Sequence, residues 1–242
     1  MPGPSPGERL LVALDVPSLE EATRLLDELS GLVGGCKVGS QLFTAAGPAA
    51  VEAARKRGFQ VFLDLKYHDI PSTVAGAVRE ATRLGVFMLN VHAAGGTAMM
   101  RAAAEAAARA ADDLGVRRPL VLAVTVLTSL DRRALQAELG VATSVAGHVL
   151  HLAGLARAAG LDGCVASPHE IRALRLQCGS RWVIVTPGIR PAGTAGADDQ
   201  VRVATPRAAL AAGADYLVVG RPITAAPDRR AAAEALLREC GA

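Results

Sequence analysis

The chain has 242 residues, 51% of them hydrophobic and only 3% aromatic, and 26 basic against 23 acidic side chains leave a formal net charge of +3. That length can bury a full core without disulfides, and it is close to one (β/α)8 barrel, which typically needs about 250 residues. So balanced a charge and so few rings argue against a nucleic-acid surface or an anionic-membrane patch.

The four cysteines, Cys36, Cys164, Cys178 and Cys240, are too scattered for a zinc motif or a disulfide framework, and no metal site is expected. Residues 1–8 are rich in Pro and Gly and lack the basic start and apolar stretch of a signal peptide. No apolar run approaches the length of a membrane span. A cytoplasmic protein without a membrane partner is expected, with 1–9 a flexible tail and 10–242 a single catalytic domain.

Residues 10–14 read as a first strand ending at Asp15, and Ser18 then caps a helix to about 30 with Glu20 and Glu21 in its first turn. A short strand at 36–39 carries the unusual Lys37, and a helix broken at Pro48 follows over 41–57. The apolar run 59–63 leads a third strand, 60–66, into Asp64-Leu65-Lys66-Tyr67-His68-Asp69-Ile70-Pro71, and 71–84 is the next helix. A fourth strand at 86–91 ends in His92, and Gly95-Gly96-Thr97 opens an alanine-rich helix to about 114. Residues 119–126 form a fifth strand ahead of Leu127-Thr128-Ser129, with helices over 132–139 and 144–159. Strands at 163–166, 182–185 and 215–219 complete the set, separated by helices at 168–176 and 205–212 and followed by one at 227–239.

Strands alternating with helices imply a parallel sheet with right-handed crossovers. Eight such units in this length predict a closed (β/α)8 barrel, α/β in class and a single domain. Its unusual polar residues, Asp15, Lys37, Asp64, Lys66, His92, Thr128, Arg190 and Arg221, fall at the C-terminal ends of strands, the rim where barrel enzymes build their sites.

On an extended strand Asp64 and Lys66 share a face, and opposite charges at the end of an apolar strand are costly to bury unless paired. With Asp69 just beyond, two carboxylates flank one ammonium; alone, the pattern would also fit a strand-end salt bridge holding a turn. Val219-Gly220-Arg221 ends the eighth strand where barrels hold phosphate: glycine lets backbone N–H groups approach an anion and arginine forks onto it. The stretch 191–204, long and poor in apolar periodicity, reads as a functional lid, with a mere flexible insertion as the alternative. His92 reads as a packed strand-end residue, and Cys36 as a buried thiol.

These residues together resemble the orotidine 5'-phosphate decarboxylase family over most of the chain. The likeness is carried by Leu14-Asp15, Lys37-Val38-Gly39, Asp64 through Thr73, Leu127-Thr128-Ser129, Thr186-Pro187-Gly188-Ile189-Arg190, Gln200 and Val219-Gly220-Arg221. D-x-K-x-x-D is shared with other phosphosugar barrels, whereas His68, Ile70-Pro71 and the Pro187–Arg190 segment are more specific. The resemblance implies decarboxylation of orotidine 5'-phosphate to UMP, the last step of de novo pyrimidine synthesis, without a cofactor. It implies that Lys66 protonates C6, that Asp64 lies beside the departing carboxylate, and that Lys37 and Asp69 complete a charge network, Asp69 entering from the partner subunit of a homodimer. Asp15, Lys37 and Thr73 are implied at the ribose, Thr128 or Ser129 at the pyrimidine amide, and Pro187 beside the ring. Arg190, Gln200, Gly220 and Arg221 are implied at the phosphate or closing over the base. Another phosphosugar lyase or epimerase is the alternative within the superfamily; a barrel that only binds nucleotide would be expected to have lost Lys66 or Asp64.

Overall fold

Eight apolar runs form the strands β1 (Leu10–Ala13), β2 (Gly35–Gly39), β3 (Gln60–Tyr67), β4 (Met88–His92), β5 (Leu120–Val124), β6 (Gly163–Val165), β7 (Val183–Thr186) and β8 (Tyr216–Val219). Each pairs in parallel with the next, and β8 pairs back onto β1 through Leu10 with Leu217 and Val12 with Val219, so the ring is closed. The structure is a computed structural model, and it describes residues 5–192 and 203–241.

Helices α1 (Pro6–Arg9), α2 (Leu19–Leu29), α3 (Ser40–Ala46), α4 (Pro48–Lys56), α5 (Pro71–Arg83) and α6 (Gly96–Leu114) belong to the first half. The second half holds α7 (Arg132–Ala137), α8 (Val145–Ala158), α9 (Ile171–Cys178), α10 (Pro206–Ala212), α11 (Arg221–Thr224) and α12 (Arg229–Glu239). Their starts follow from local chemistry. Side-chain oxygens of Ser18, Asp131, Ser144, Thr205 and Asp228 accept first-turn N–H groups that have no partner within the helix, each cap being worth about 1 kcal/mol.

Alternation along the strands makes two cores. Leu10, Val12, Leu63 and Leu89 face outward, into the layer shared with the helices. Leu11, Ala13, Phe62, Met88, Leu122, Val185 and Val218 face inward and fill the barrel as an apolar plug. One pleat further along, the same inward positions are Asp15, Asp64, Asn90, Val124, Pro187 and Gly220; all but the fully buried Asn90 line the floor of the site. The plug thus supports the polar floor from below.

Three details differ from the sequence-based reading. Residues 6–9, expected in a tail, form a helical turn whose capping box joins Ser5 and Glu8, and Gly34 donates its N–H to the Gly7 carbonyl beneath the barrel. Arg221 opens a short helix rather than trailing from β8. Most consequential, β3 is not a regular strand. Its register against β4 shifts between Leu63 and Tyr67, and Lys66 has a left-handed backbone, φ +52°. A non-glycine residue held there costs about 1–3 kcal/mol and is kept only where its surroundings impose it. Lys66 is the only such non-glycine residue among the described residues.

Candidate active site

The C-terminal mouth of the barrel opens into a cavity of about 580 Å3, within the size range of small-ligand sites. Its wall has three arcs. The first, from β1 to β3, is charged. Lys37 Nζ donates to Asp15 Oδ1 at 2.8 Å and meets Asp64 Oδ2 at 3.3 Å, and Lys66 Nζ donates to Asp64 Oδ1 at 2.8 Å. Four side chains from three neighbouring strands thus alternate in sign: Asp15, Lys37, Asp64, Lys66. The Lys37 and Asp64 side chains are each 11% exposed, Lys66 34% and Asp15 54%, so the chain of charges runs from the wall into the open mouth. Burial alone would lower the pKa of Lys37, but the carboxylates of Asp64 and Asp15 outweigh it and hold the group above its usual value. Gly39 leaves room for this pair: a Cβ there would sit 2.8 Å from both Asp15 Oδ1 and Lys37 Nζ and would push the two tips aside.

Apolar residues make the second arc, with Val124, Val126, Val165 and Ala166 on the cavity wall below the Thr128 turn. The third arc is cationic and comes from the ends of β7 and β8, where Pro187, Arg190, Gly220 and Arg221 line the cavity. Ala204 donates to the Gly188 carbonyl and accepts from the Arg190 N–H, so the two described ends of the 191–204 stretch are tied together at the mouth. Ammonium and carboxylate groups at one side, two guanidinium groups at another and an apolar wall between them suit a ligand with an anionic end and a flat, weakly polar body.

Of the residues expected from sequence, the cavity gathers Asp15, Lys37, Asp64, Lys66, Thr128, Pro187, Arg190, Gly220 and Arg221. Ser129 is exposed in the turn after β5, beyond the cavity lining. Thr73, in the first turn of α5, and Asp69, on the link from β3, are also exposed and lie outside the cavity of their own chain. Asp69 accepts the Ile70 N–H at 2.6 Å, and Ile70 itself is 64% exposed. Gln200 lies outside the described residues.

Among the described residues no three His, Cys, Asp or Glu side chains gather as metal ligands. The His92 ring lies 5.3 Å from that of His68, and its pKa is lowered by burial and then by His68 and Lys66. Burial pushes the Cys36 thiol up to about 12, as suits a packed residue.

Residues 8–236 match the family described as Orotidine 5'-phosphate decarboxylase / HUMPS. The chain belongs to this family. It is 59% identical to an orotidine 5'-phosphate decarboxylase of Moorella thermoacetica over 232 residues, 96% of this chain and 92% of the relative. With the corresponding protein of Halorhodospira halophila it shares 55% identity over 242 residues, 100% of this chain and 98% of the relative. The crystal structure of orotidine 5'-phosphate decarboxylase from Lactobacillus acidophilus superposes with a TM-score of 0.85 at 38% identity, covering 97% of this chain and 100% of that one. For this member of the orotidine 5'-phosphate decarboxylase family, the sequence-based reading missed one buried polar group at the site. Asn90 is fully buried, donates to Asp64 Oδ1 at 2.7 Å and accepts the Lys66 N–H at 2.8 Å. Its signal was a single amide inside the apolar run 86–91, at the parity of the inward-facing Met88.

Proposed function

We propose that this chain decarboxylates orotidine 5'-phosphate to UMP and CO2, the last step of de novo pyrimidine synthesis, without metal or organic cofactor. The alternating row Asp15–Lys37–Asp64–Lys66, set in one cavity with Arg190 and Arg221, carries the reading. As the bond from C6 to the carboxylate breaks, its electron pair stays on C6, and the ring offers that carbanion little delocalisation. Fixed charges must therefore stabilise it, and those of this wall are already oriented before substrate arrives. Lys66 then gives its proton to C6 and is reprotonated by solvent. Asp64 orients both lysines and faces the departing carboxylate; Lys37 and Asp15 engage the ribose hydroxyls. Thr128 or Ser129 reads the pyrimidine amide and Pro187 packs on the ring. Arg190, Gly220 and Arg221, with Gln200, hold the phosphate, whose binding energy is spent on transition-state stabilisation remote from the reacting carbon.

The working unit in this reading is a homodimer. Asp69 and Ile70 are exposed and outside the cavity of their own chain, and Asp69, with Thr73 close by, would complete the partner's site across a two-fold axis. The cytoplasm is the compartment we propose. The test is direct: purified protein in excess EDTA should convert orotidine 5'-phosphate, followed by its absorbance, to UMP. Absence of UMP, or activity only with added divalent metal, would refute the assignment and favour another phosphosugar lyase or epimerase.

A further inference from the structure

We infer that Asn90 is a positioning residue that sets the spacing of Asp64 and Lys66. This rests on the reading of the cavity as the decarboxylation site.

Between Leu63 and Tyr67, β3 departs from its ladder with β4: Leu63 pairs with Leu89, yet Tyr67 pairs with Val91, so four steps on one strand oppose two on the other. Asn90 is the residue of β4 facing that bulge. Its side-chain carbonyl accepts the Lys66 N–H at 2.8 Å, inside the stretch where the ladder shifts register. The amide nitrogen of the same side chain donates to Asp64 Oδ1 at 2.7 Å. One fully buried amide therefore holds the main chain of the proposed proton donor and the carboxylate that orients it.

Both contacts also fix how the amide is turned. Rotated by half a turn, it would set oxygen against carboxylate and NH2 against N–H, so only one orientation satisfies both partners. Lys66 meanwhile keeps its left-handed backbone, φ +52°, and returns its ammonium to Asp64 Oδ1 at 2.8 Å. Asp64 Oδ1 thus accepts from Lys66 Nζ and Asn90 Nδ2 together, and Oδ2 faces Lys37 at 3.3 Å. Asn90 does not line the cavity and has no route to substrate; its effect passes through its two partners.

Without the amide, Lys66 loses the bond that ties its main chain into the bulge and can relax to an extended backbone. Its ammonium would then swing from the place where C6 must be protonated. The phosphate contacts, on the other side of the ring of strands, would stay. Kinetics should divide accordingly: kcat falls about 100-fold, as misplacement near 1 Å can cause, while KM for orotidine 5'-phosphate and the Kd of UMP stay within about threefold, because uniform binding is untouched.

The experiment begins with the unsubstituted chain, whose failure to form UMP would refute the functional reading alone. Asn90→Ala and Asn90→Asp are then compared by kcat, KM, UMP affinity and thermal unfolding. The aspartate nearly preserves shape and the acceptor for Lys66, but it sets a second carboxyl group against Asp64. Both variants should lose kcat and keep UMP affinity. A crystal structure of Asn90→Ala should show Lys66 out of the left-handed region and its ammonium displaced from Asp64, a readout independent of activity. Unchanged kcat, or an unchanged Lys66 backbone and Lys66–Asp64 distance, would overturn the inference. So would parallel loss of kcat, UMP affinity and stability, or failure of both variants to fold, since Asn90 would then support the barrel generally.

Discussion

Replacing Lys66 by glycine and by alanine separates what this residue does for chemistry from what it does to the fold. Its ammonium touches Asp64 at 2.8 Å, the lysine side chain being 34% exposed and the carboxylate 11%, and both variants lose this half-open pair alike. Asp64 keeps Asn90 at 2.7 Å and Lys37 at 3.3 Å after the lysine is gone, so no carboxylate is stranded. What separates the two variants is the backbone. At φ +52°, a side chain with a Cβ costs roughly 1–2 kcal/mol that glycine avoids, against roughly 0.5–1 kcal/mol for glycine's greater freedom when unfolded. Lys66→Gly should therefore be more stable than Lys66→Ala by about 0.5–1 kcal/mol, or about 1–4 °C in Tm for a domain of this size. Both should lose at least about a thousandfold in turnover, since the proposed proton donor and its charge disappear together. Thermal unfolding by circular dichroism, beside the absorbance assay with orotidine 5'-phosphate, reads both quantities. A glycine variant clearly less stable than the alanine one would refute the strained-backbone argument, and a tenth of normal turnover in either would refute the role of Lys66.

Three further outcomes follow from other parts of the site. Arg221→Ala should reduce kcat/KM for orotidine 5'-phosphate by about 2–3 kcal/mol, as loss of a hydrogen bond to a charged group does, and leave turnover of phosphate-free orotidine unchanged; equal losses on both would make Arg221 structural. Lys66→Ala and Asp69→Ala homodimers should each be nearly inactive, but exchange between them should restore about a quarter of normal activity, because half the dimers are mixed and each has one intact site. Native mass spectrometry checks the exchange, and exchange without recovery would place Asp69 in its own chain's site. By NMR His92 should titrate below its usual 6.5; the unfolded chain then takes up this proton first as pH falls, so the group removes stability from about pH 7 downward. A midpoint at or above 6.5 would contradict the burial of that ring.

The strands were legible because each is an apolar run bounded by turn residues, and the rim was legible because charges such as Lys37 and Arg221 interrupt those runs at one end. Alternation correctly brought Asp64 and Lys66 together, but for an incomplete reason. Regular pleating was assumed, whereas a bulge and a left-handed Lys66 produce the contact. Neither shows in local composition, since lysine has no preference for that conformation; tertiary context imposes it. Asn90 stayed hidden for a related reason: in sequence it is one amide in an apolar strand, and its partners follow only from the shifted register with β3. Asp69 and Thr73, expected at the site, are exposed and outside the cavity of their own chain, and one chain's periodicity carries no signal for such a placement.

Closing the ring has a consequence for how the chain reaches this state. During synthesis β1 emerges early, yet one of its edges waits for β8, the last strand to appear. Until then an unpaired apolar edge is open to wrong partners, the condition under which nascent chains need chaperones. The same long-range closure recurs outside the sheet, where Arg229 of α12 bonds Glu28 of α2 at 3.0 Å across 201 positions of sequence. So distant a pairing makes acquisition of the fold slow. With α1 lying against β1 and β8, and α12 against α2, the first and last helices share one side of the ring. A circular permutant that linked the two ends and opened the chain between α4 and β3, at the exposed Gly58, would keep every strand neighbour while changing which edge waits longest.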